Sequence, residues 1–205
     1  MLLDAGAAEI LAVREVTEAR AARGEFSDAL LYGERGGLPP EGFDFGNSPR
    51  TVDAARGRRV IFTTTTGAGR LVDCWGAEAA YMGSTVNAAA VVRAAARHEK
   101  DVVLIPAGLM SDPGFNAQED WVAAVVIAMR AGGALGEGAG AFCAWRERIE
   151  HEGIESLFQT APHALKLRRV GLGDDIAFCA QVDITTAVPR AVLRHPLGVI
   201  LRDGR

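Results

Sequence analysis

Cysteine is scarce. Cys74, Cys143 and Cys179 make an odd set with no CxxC pair, which argues against a disulfide frame or a zinc site and for a reducing, cytoplasmic setting. Long apolar runs are missing too. The longest, around Trp121 to Met129, falls well short of the ~20 residues a membrane span needs. Met1 to Ala8 lacks a basic region and contains Asp4, so no secretory leader is read there. No block of like charge stands out in a chain of net charge −4, which sets nucleic acid aside as a partner. Neither a GxSxG elbow nor a GxxxxGK[ST] phosphate loop occurs. His98, His151, His163 and His195 stand isolated, and lysine occurs only at positions 100 and 166.

What is present is a core. About half of the 205 residues are hydrophobic, and a domain of this size buries roughly 70% of the surface its unfolded chain exposes. Short apolar runs, several rich in β-branched residues, read as strands at Glu9–Val13, Ala29–Tyr32, Arg59–Thr63, Ala79–Met82 and, with its exit loop, Asp101–Gly108, with a last one at Val199–Leu201. Helical patterns run over Glu15–Arg23, Ala88–Glu99, Gln118–Ala131 and Trp145–Ala164. Phe178–Ile184 fits helix or strand, and 132–140 is a glycine-rich connector. Alternating strands and helices predict an α/β fold: three layers, α/β/α, around a largely parallel or mixed sheet. One domain is expected over 1–205, with about 1–135 and 136–205 as its finer division. In such sheets the ligand crevice lies beyond the carboxyl ends of the strands. Four predicted strand exits are polar or glycine-bearing: Gly33-Glu34-Arg35, Thr64-Thr65-Thr66-Gly67, Gly83-Ser84 and Ala107-Gly108. They are expected to gather along one edge.

Each polar group there admits two readings. The Thr63–Gly69 thread is either a threonine-rich strand end or a backbone cradle for an oxyanion. Glu34 beside Arg35 is either a surface ion pair or a carboxylate for metal or base work next to an oxyanion clamp. Asp44, between Phe43 and Phe45, needs a partner: a magnesium ion, an arginine or backbone N–H groups. Asn47 and Ser48 before a proline suit a turn or helix cap as well as a ligand. Glu119 and Asp120 open a helix, where acids are favourable anyway. Asp174 and Asp175 form a similar pair, and Cys179 is expected in the core.

Taken in order, these residues resemble the 2-phosphosulfolactate phosphatase family. The resemblance rests on Gly33-Glu34-Arg35-Gly36-Gly37, on Gly42-Phe43-Asp44-Phe45-Gly46-Asn47-Ser48-Pro49, and on the thread Thr64 to Gly67. It continues through Gly83-Ser84 with Asn87, Ala107-Gly108, Glu119-Asp120, the run from Asp175 to Ala180, Asp183 and Val188-Pro189. It implies a magnesium-dependent phosphoric monoester hydrolase that acts on 2-phospho-3-sulfolactate, in coenzyme M biosynthesis, or on a related phosphorylated 2-hydroxy acid. On that resemblance Glu34, Arg35 and Asp44 are the expected catalytic residues. Arg35, Asn47, Ser48, Thr64, Thr65, Thr66, Gly67 and Ser84 are expected to hold the substrate, and Asp44, Glu34, Glu119 and Asp120 to hold Mg²⁺.

The chain departs from the family pattern in three places. The usual TTNGTR reads Thr64-Thr65-Thr66-Gly67-Ala68-Gly69-Arg70, and Pro106 replaces the cysteine usual before Ala-Gly. The family's opening strand with its Asp-x-x-Arg-Ala-Thr/Ser motif has no counterpart before Leu2, so the expectation is either that the usual first strand and helix are lacking or that the true start lies upstream. This departure supports a rival expectation, a catalytically silent relative that binds an anionic metabolite or serves in an assembly. An exposed sheet edge or apolar helix is compatible with a homodimer.

Overall fold

All five residues of the strand β1, Glu9–Val13, are buried. Their side chains alternate between two apolar clusters. Ile10 and Ala12 enter one, with Tyr32, Val60, Leu71, Val72, Val199 and Leu201. Leu11 and Val13 enter the other, with Ala19, Ala22, Leu31, Ile61 and Ile200. A strand buried on both faces reads as a continuous apolar run, which is why Glu-Ile-Leu-Ala-Val shows no polar alternation. The computed structural model describes residues 1–108 and 117–205.

β1 is the middle of a five-stranded mixed sheet, ordered β2-β3-β1-β5-β4. Here β2 is Leu30–Gly33, β3 is Arg59–Thr63, β4 is Pro189–His195 and β5 is Gly198–Asp203. β3 pairs in parallel with both β1 and β2. β5 runs antiparallel to β1 and to β4. Helix α1, Val16–Glu25, packs Ala19 and Ala22 onto one face. Helix α2, Gly67–Asp73, packs Leu71 and Val72 onto the other, together with Ala55 of the 3₁₀ segment Pro49–Ala55. This is the expected three-layer α/β/α arrangement. The crossover from β1 to β2 carries α1, and the return from β2 to β3 carries the 3₁₀ segment on the opposite face. Two crossovers of one hand that move in opposite directions must use opposite faces.

The chain divides into two compact units, residues 1–82 with 187–205, and residues 83–186. The glycine-rich 132–140 stretch therefore lies inside the second unit. That unit is helical: α3 (Ala88–Ala96), α4 (Gln118–Ala131), α5 (Ala139–Glu152), α6 (Ile154–Thr160), α7 (Pro162–Arg169) and α8 (Gly173–Cys179). α4 is its axis, burying Val122, Val125, Val126 and Ile127. No described helix is long and apolar enough to cross a membrane.

Several expected elements take another form. Asp101–Gly108 is not a strand, and Val102, Val103 and Ile105 are exposed. Its β-branched composition speaks for a strand, but a strand needs a hydrogen-bonded neighbour. Ala79–Met82 makes only an isolated bridge, Tyr81 to Arg190. The helix expected over Trp145–Ala164 is cut twice. Gly153 takes φ +80° between α5 and α6, and Pro162 restarts the chain as the first residue of α7. Cys179, expected in the core, is exposed. β4 escapes sequence reading because a bulge between Ala191 and Leu193 breaks its two-residue period.

Two glycines mark opposite packing conditions. A Cβ on Gly198 would stand 2.0 Å from the Ala12 carbonyl oxygen of β1, whereas one on Gly24 in α1 would meet nothing within 4 Å. Gly198→Ala is expected to cost about 3 kcal/mol or more, because backbone must move. Gly24→Ala should add about 0.5–1 kcal/mol through helix propensity. Urea unfolding of both variants checks the contrast, and equal midpoints would contradict the register of β1 against β5.

Candidate functional site

The parallel registers decide what leaves the sheet together. Ala12 aligns with Phe62 and Gly33 with Thr63. One step on, Arg14, Glu34 and Thr64 emerge side by side at the carboxyl ends of β1, β2 and β3. Gly33 is needed at this edge because a Cβ there would lie 2.6 Å from the Thr63 carbonyl oxygen.

Glu34 ties two of these exits together. Its Oε1 accepts from the Thr65 amide at 2.8 Å and the Thr65 hydroxyl at 2.7 Å, and its Oε2 accepts from the Gly37 amide at 3.0 Å. Burial works against the charge, yet these donors from Gly37 and Thr65 outweigh it and hold the carboxyl below its ordinary range. Arg35 lies along the same edge. Its Nη1 donates to the Glu34 carbonyl at 2.7 Å, and its Nη2 donates to the Arg14 carbonyl at 3.0 Å and to Thr63 Oγ1 at 3.1 Å. Three donor contacts leave part of the five-donor guanidinium fork for an anion. Arg14, which carried no motif in the sequence, donates to the Gly69 carbonyl at 3.2 Å and to Asp73 at 2.5 Å.

The threonine thread divides its roles. Thr64 Oγ1 accepts from the Ala68 amide at 3.0 Å, Thr65 is held by Glu34, and Thr66 precedes α2 with no side-chain cap bond. Among the described residues the amides of Gly67 and Gly69 have no partner. The first turn of a helix leaves such N–H groups open by geometry.

Asp44 has a different setting. The segment Asp44–Phe45 runs along the outer edge of β2: the Asp44 and Phe45 amides donate to the Leu31 carbonyl, and the Gly33 amide donates to the Phe45 carbonyl. Phe45 stacks on Tyr32 with ring centroids 4.7 Å apart. The Asp44 carboxylate accepts from the Leu31 amide at 2.8 Å and from Arg23 at 2.9 Å. Of the three partners a carboxylate here could take, the structure supplies the arginine and the backbone N–H. Burial pushes its pKa up, and those two donors bring it below the ordinary value. Asp44 thus closes a sheet edge, and its carboxylate shares no hydrogen-bond partner with that of Glu34. Ser48 caps the 3₁₀ segment, accepting from the Arg50 amide at 3.3 Å, with Asn47 exposed just before it.

In the second unit Ser84 opens the 3₁₀ turn Thr85–Asn87, its amide donating to Asn87 Oδ1 at 2.8 Å. Asp175 is buried in α8. Asp183, a family-matching position, is a cap: it accepts from the Ala89 amide at 2.7 Å and from Arg130 at 2.9 Å.

Glu119 and Asp120 stand in the first turn of α4. His163, on α7, pairs through Nδ1 with Glu119 Oε1. No local pattern signals this pair, because 44 positions separate the two residues. Glu119 Oε2 is buried and has no partner among the described residues. The bond to Glu119 raises the His163 pKa against the effect of burial. Burial, reinforced by the Glu119 charge and opposed by His163, pushes Asp120 up to about 6. Among the described residues no three His, Cys, Asp or Glu side chains gather in a metal-holding group.

The raised pKa of Asp120 has a consequence for stability. Between the ordinary value of 3.8 and about 6, the folded chain keeps a proton that the unfolded chain releases. Stability therefore falls as pH rises through that window and stays lower above it. Asp120→Asn is expected to match the wild type near pH 4 and to exceed it near pH 8, by up to roughly 3 kcal/mol. Thermal melts in EDTA at both pH values test this, and a difference that ignores pH would contradict the buried setting of Asp120.

Comparison with known proteins sets these loops in a lineage. Residues 1–193 match the family model described as 2-phosphosulpholactate phosphatase. A protein of Deinococcus radiodurans is 37% identical, covering 93% of this chain and 81% of its own length. One of Gloeobacter violaceus is 35% identical, covering 91% and 78%. One of Carboxydothermus hydrogenoformans is 31% identical, covering 94% and 80%. Each carries the name probable 2-phosphosulfolactate phosphatase. With a match running from the first residue to the strand β4, this chain belongs to the 2-phosphosulpholactate phosphatase family, a family of phosphoric monoester hydrolases.

Proposed function

We propose that this protein hydrolyses the phosphate ester of 2-phospho-3-sulfolactate, or of a closely related phosphorylated 2-hydroxy acid, with Mg²⁺ as its cofactor. The observation that carries the reading is the strand-end edge of the first unit. There Arg35 is held by three hydrogen bonds, with Glu15 Oε2 3.7 Å from its Nη2, and keeps donors to spare. The open amides of Gly67 and Gly69 lie in the thread that Glu34 anchors through Thr65. Family membership supports the same chemistry. Phosphoryl transfer asks a protein mainly for positioning and charge neutralisation. A planar guanidinium and fixed backbone N–H groups offer both to a phosphate or sulfonate oxygen.

On this reading Arg35 binds an anionic oxygen of the substrate and the Gly67 and Gly69 amides hold another. The Thr66 hydroxyl is the side chain of the thread left for substrate. Thr64 and Thr65 act through the backbone, one capping Ala68 and the other held by Glu34. Glu34 positions the thread rather than attacking, because both its oxygens already accept protein donors.

Magnesium suits carboxylates that keep a free oxygen, and it is commonly held by one or two of them together with waters and substrate phosphate. Glu119 fits, since its Oε2 is buried and unclaimed among the described residues, with Asp120 beside it. Glu34 and Asp44 fit less well, having committed oxygens to amides and, for Asp44, to Arg23. Glu119 and Asp120 are thus the residues that would hold Mg²⁺, which when bound supplies charge neutralisation and a water of lowered pKa.

The test is phosphate release from 2-phospho-3-sulfolactate and other phosphorylated 2-hydroxy acids, with Mg²⁺ and with EDTA. Release is expected with Mg²⁺ and none with EDTA. Arg35→Ala should lower kcat/KM by on the order of 100-fold, the usual cost of losing an oxyanion donor. Full turnover in EDTA would remove the magnesium assignment. Binding without turnover would mark a catalytically silent relative instead.

A further inference from the structure

We propose that His163 is a positioning residue: its Nδ1 holds Glu119 by Oε1 so that Oε2 is presented to a divalent cation. The inference rests on the magnesium reading above and adds to it a residue that carries no motif. The first turn of α4 is fixed from two directions. Gln118 is buried, and its Nε2 donates to the Leu157 carbonyl of α6 at 2.6 Å and to Thr160 Oγ1 at 3.2 Å. One residue on, Glu119 is met by His163 of α7. The geometry of α7 arranges that meeting. Ala161 is extended, Pro162 is the first helical residue, and His163 follows in the same opening turn.

A glutamate has three rotatable side-chain bonds and can turn either oxygen outward. A hydrogen bond to Oε1 removes that freedom and makes Oε2 the oxygen on offer. That oxygen is buried and finds no partner among the described residues. Buried polar atoms are otherwise almost always satisfied, so an unclaimed one beside an oriented partner points to a ligand. Partners that orient a metal ligand from behind typically account for 10–100-fold in metal affinity. A plain tie between two helices would account for none.

The test separates these roles in the intact chain. Mn²⁺ binding is followed by electron paramagnetic resonance, with Mg²⁺ as competitor, for the wild type, H163A, H163N, H163Q and E119Q, and thermal melts report the fold of each. An asparagine places its N–H donor near the position of Nδ1, whereas a glutamine places it nearer Nε2. The proposal requires H163A and H163Q to lose about 10–100-fold in Mn²⁺ affinity while H163N keeps most of it. Should H163A fail to fold, the contrast of H163N with H163Q decides. Wild-type affinity in a folded H163A or H163Q, with E119Q impaired, would overturn the positioning role and leave the magnesium reading standing. A wild type that takes up neither ion would overturn both.

Discussion

Parallel pairing of β3 with β1 on one side and β2 on the other, in fixed register, is the constraint from which the first unit follows. A one-residue slip of β1 would turn Ile10 and Ala12 to the face of Leu11 and Val13, exchanging one apolar cluster for the other. The slip is blocked again at Gly198, where the backbones of β5 and β1 approach too closely for a side chain. Because the register is locked, the residues that follow the strands emerge together. Arg14, Glu34 and Thr64 are neighbours for that reason alone.

The charges at this edge are then used largely on the protein itself. Glu34 takes three donors from two loops, and Arg35 gives three to backbone and hydroxyl oxygens around it. Glu9 shows the same economy inside the sheet, where burial opposes its charge and hydrogen bonds from Arg59 and Arg202 outweigh it, so that its pKa is lowered. Groups held so firmly have little side-chain freedom left to lose. Asp44 belongs to a different economy. It protects the outer strand with the help of Phe45, and its charge is spent on Arg23 and the Leu31 amide.

The second unit solves another problem, how to fix acids at the start of a helix. α4 carries the buried residues of this unit, and its first turn is held by Gln118 and by His163. Two acids there gain from the helix dipole, but burial and mutual repulsion raise Asp120 to about 6. The turn is therefore electrostatically costly, and functional sites are where such costs are commonly retained.

Readable from the residues alone were the apolar runs of β1 and β3, the helix Gln118–Ala131 to its ends, the α/β class and the family. Each is a local pattern, or an ordered set of loop residues, visible without knowing neighbours. Packing settled the fate of segments whose local pattern is ambiguous or misleading. Asp101–Gly108 has strand composition but no partner strand among the described residues, and β4 has partners but a bulge that spoils its period. It also set the partners of each acid: Gly37 and Thr65 for Glu34, Leu31 and Arg23 for Asp44, and His163 for Glu119. The physical reason is common to all three. A carboxylate's role is set by the donors that surround it, and those donors come from residues distant in the chain, such as Thr65, Arg23 and His163.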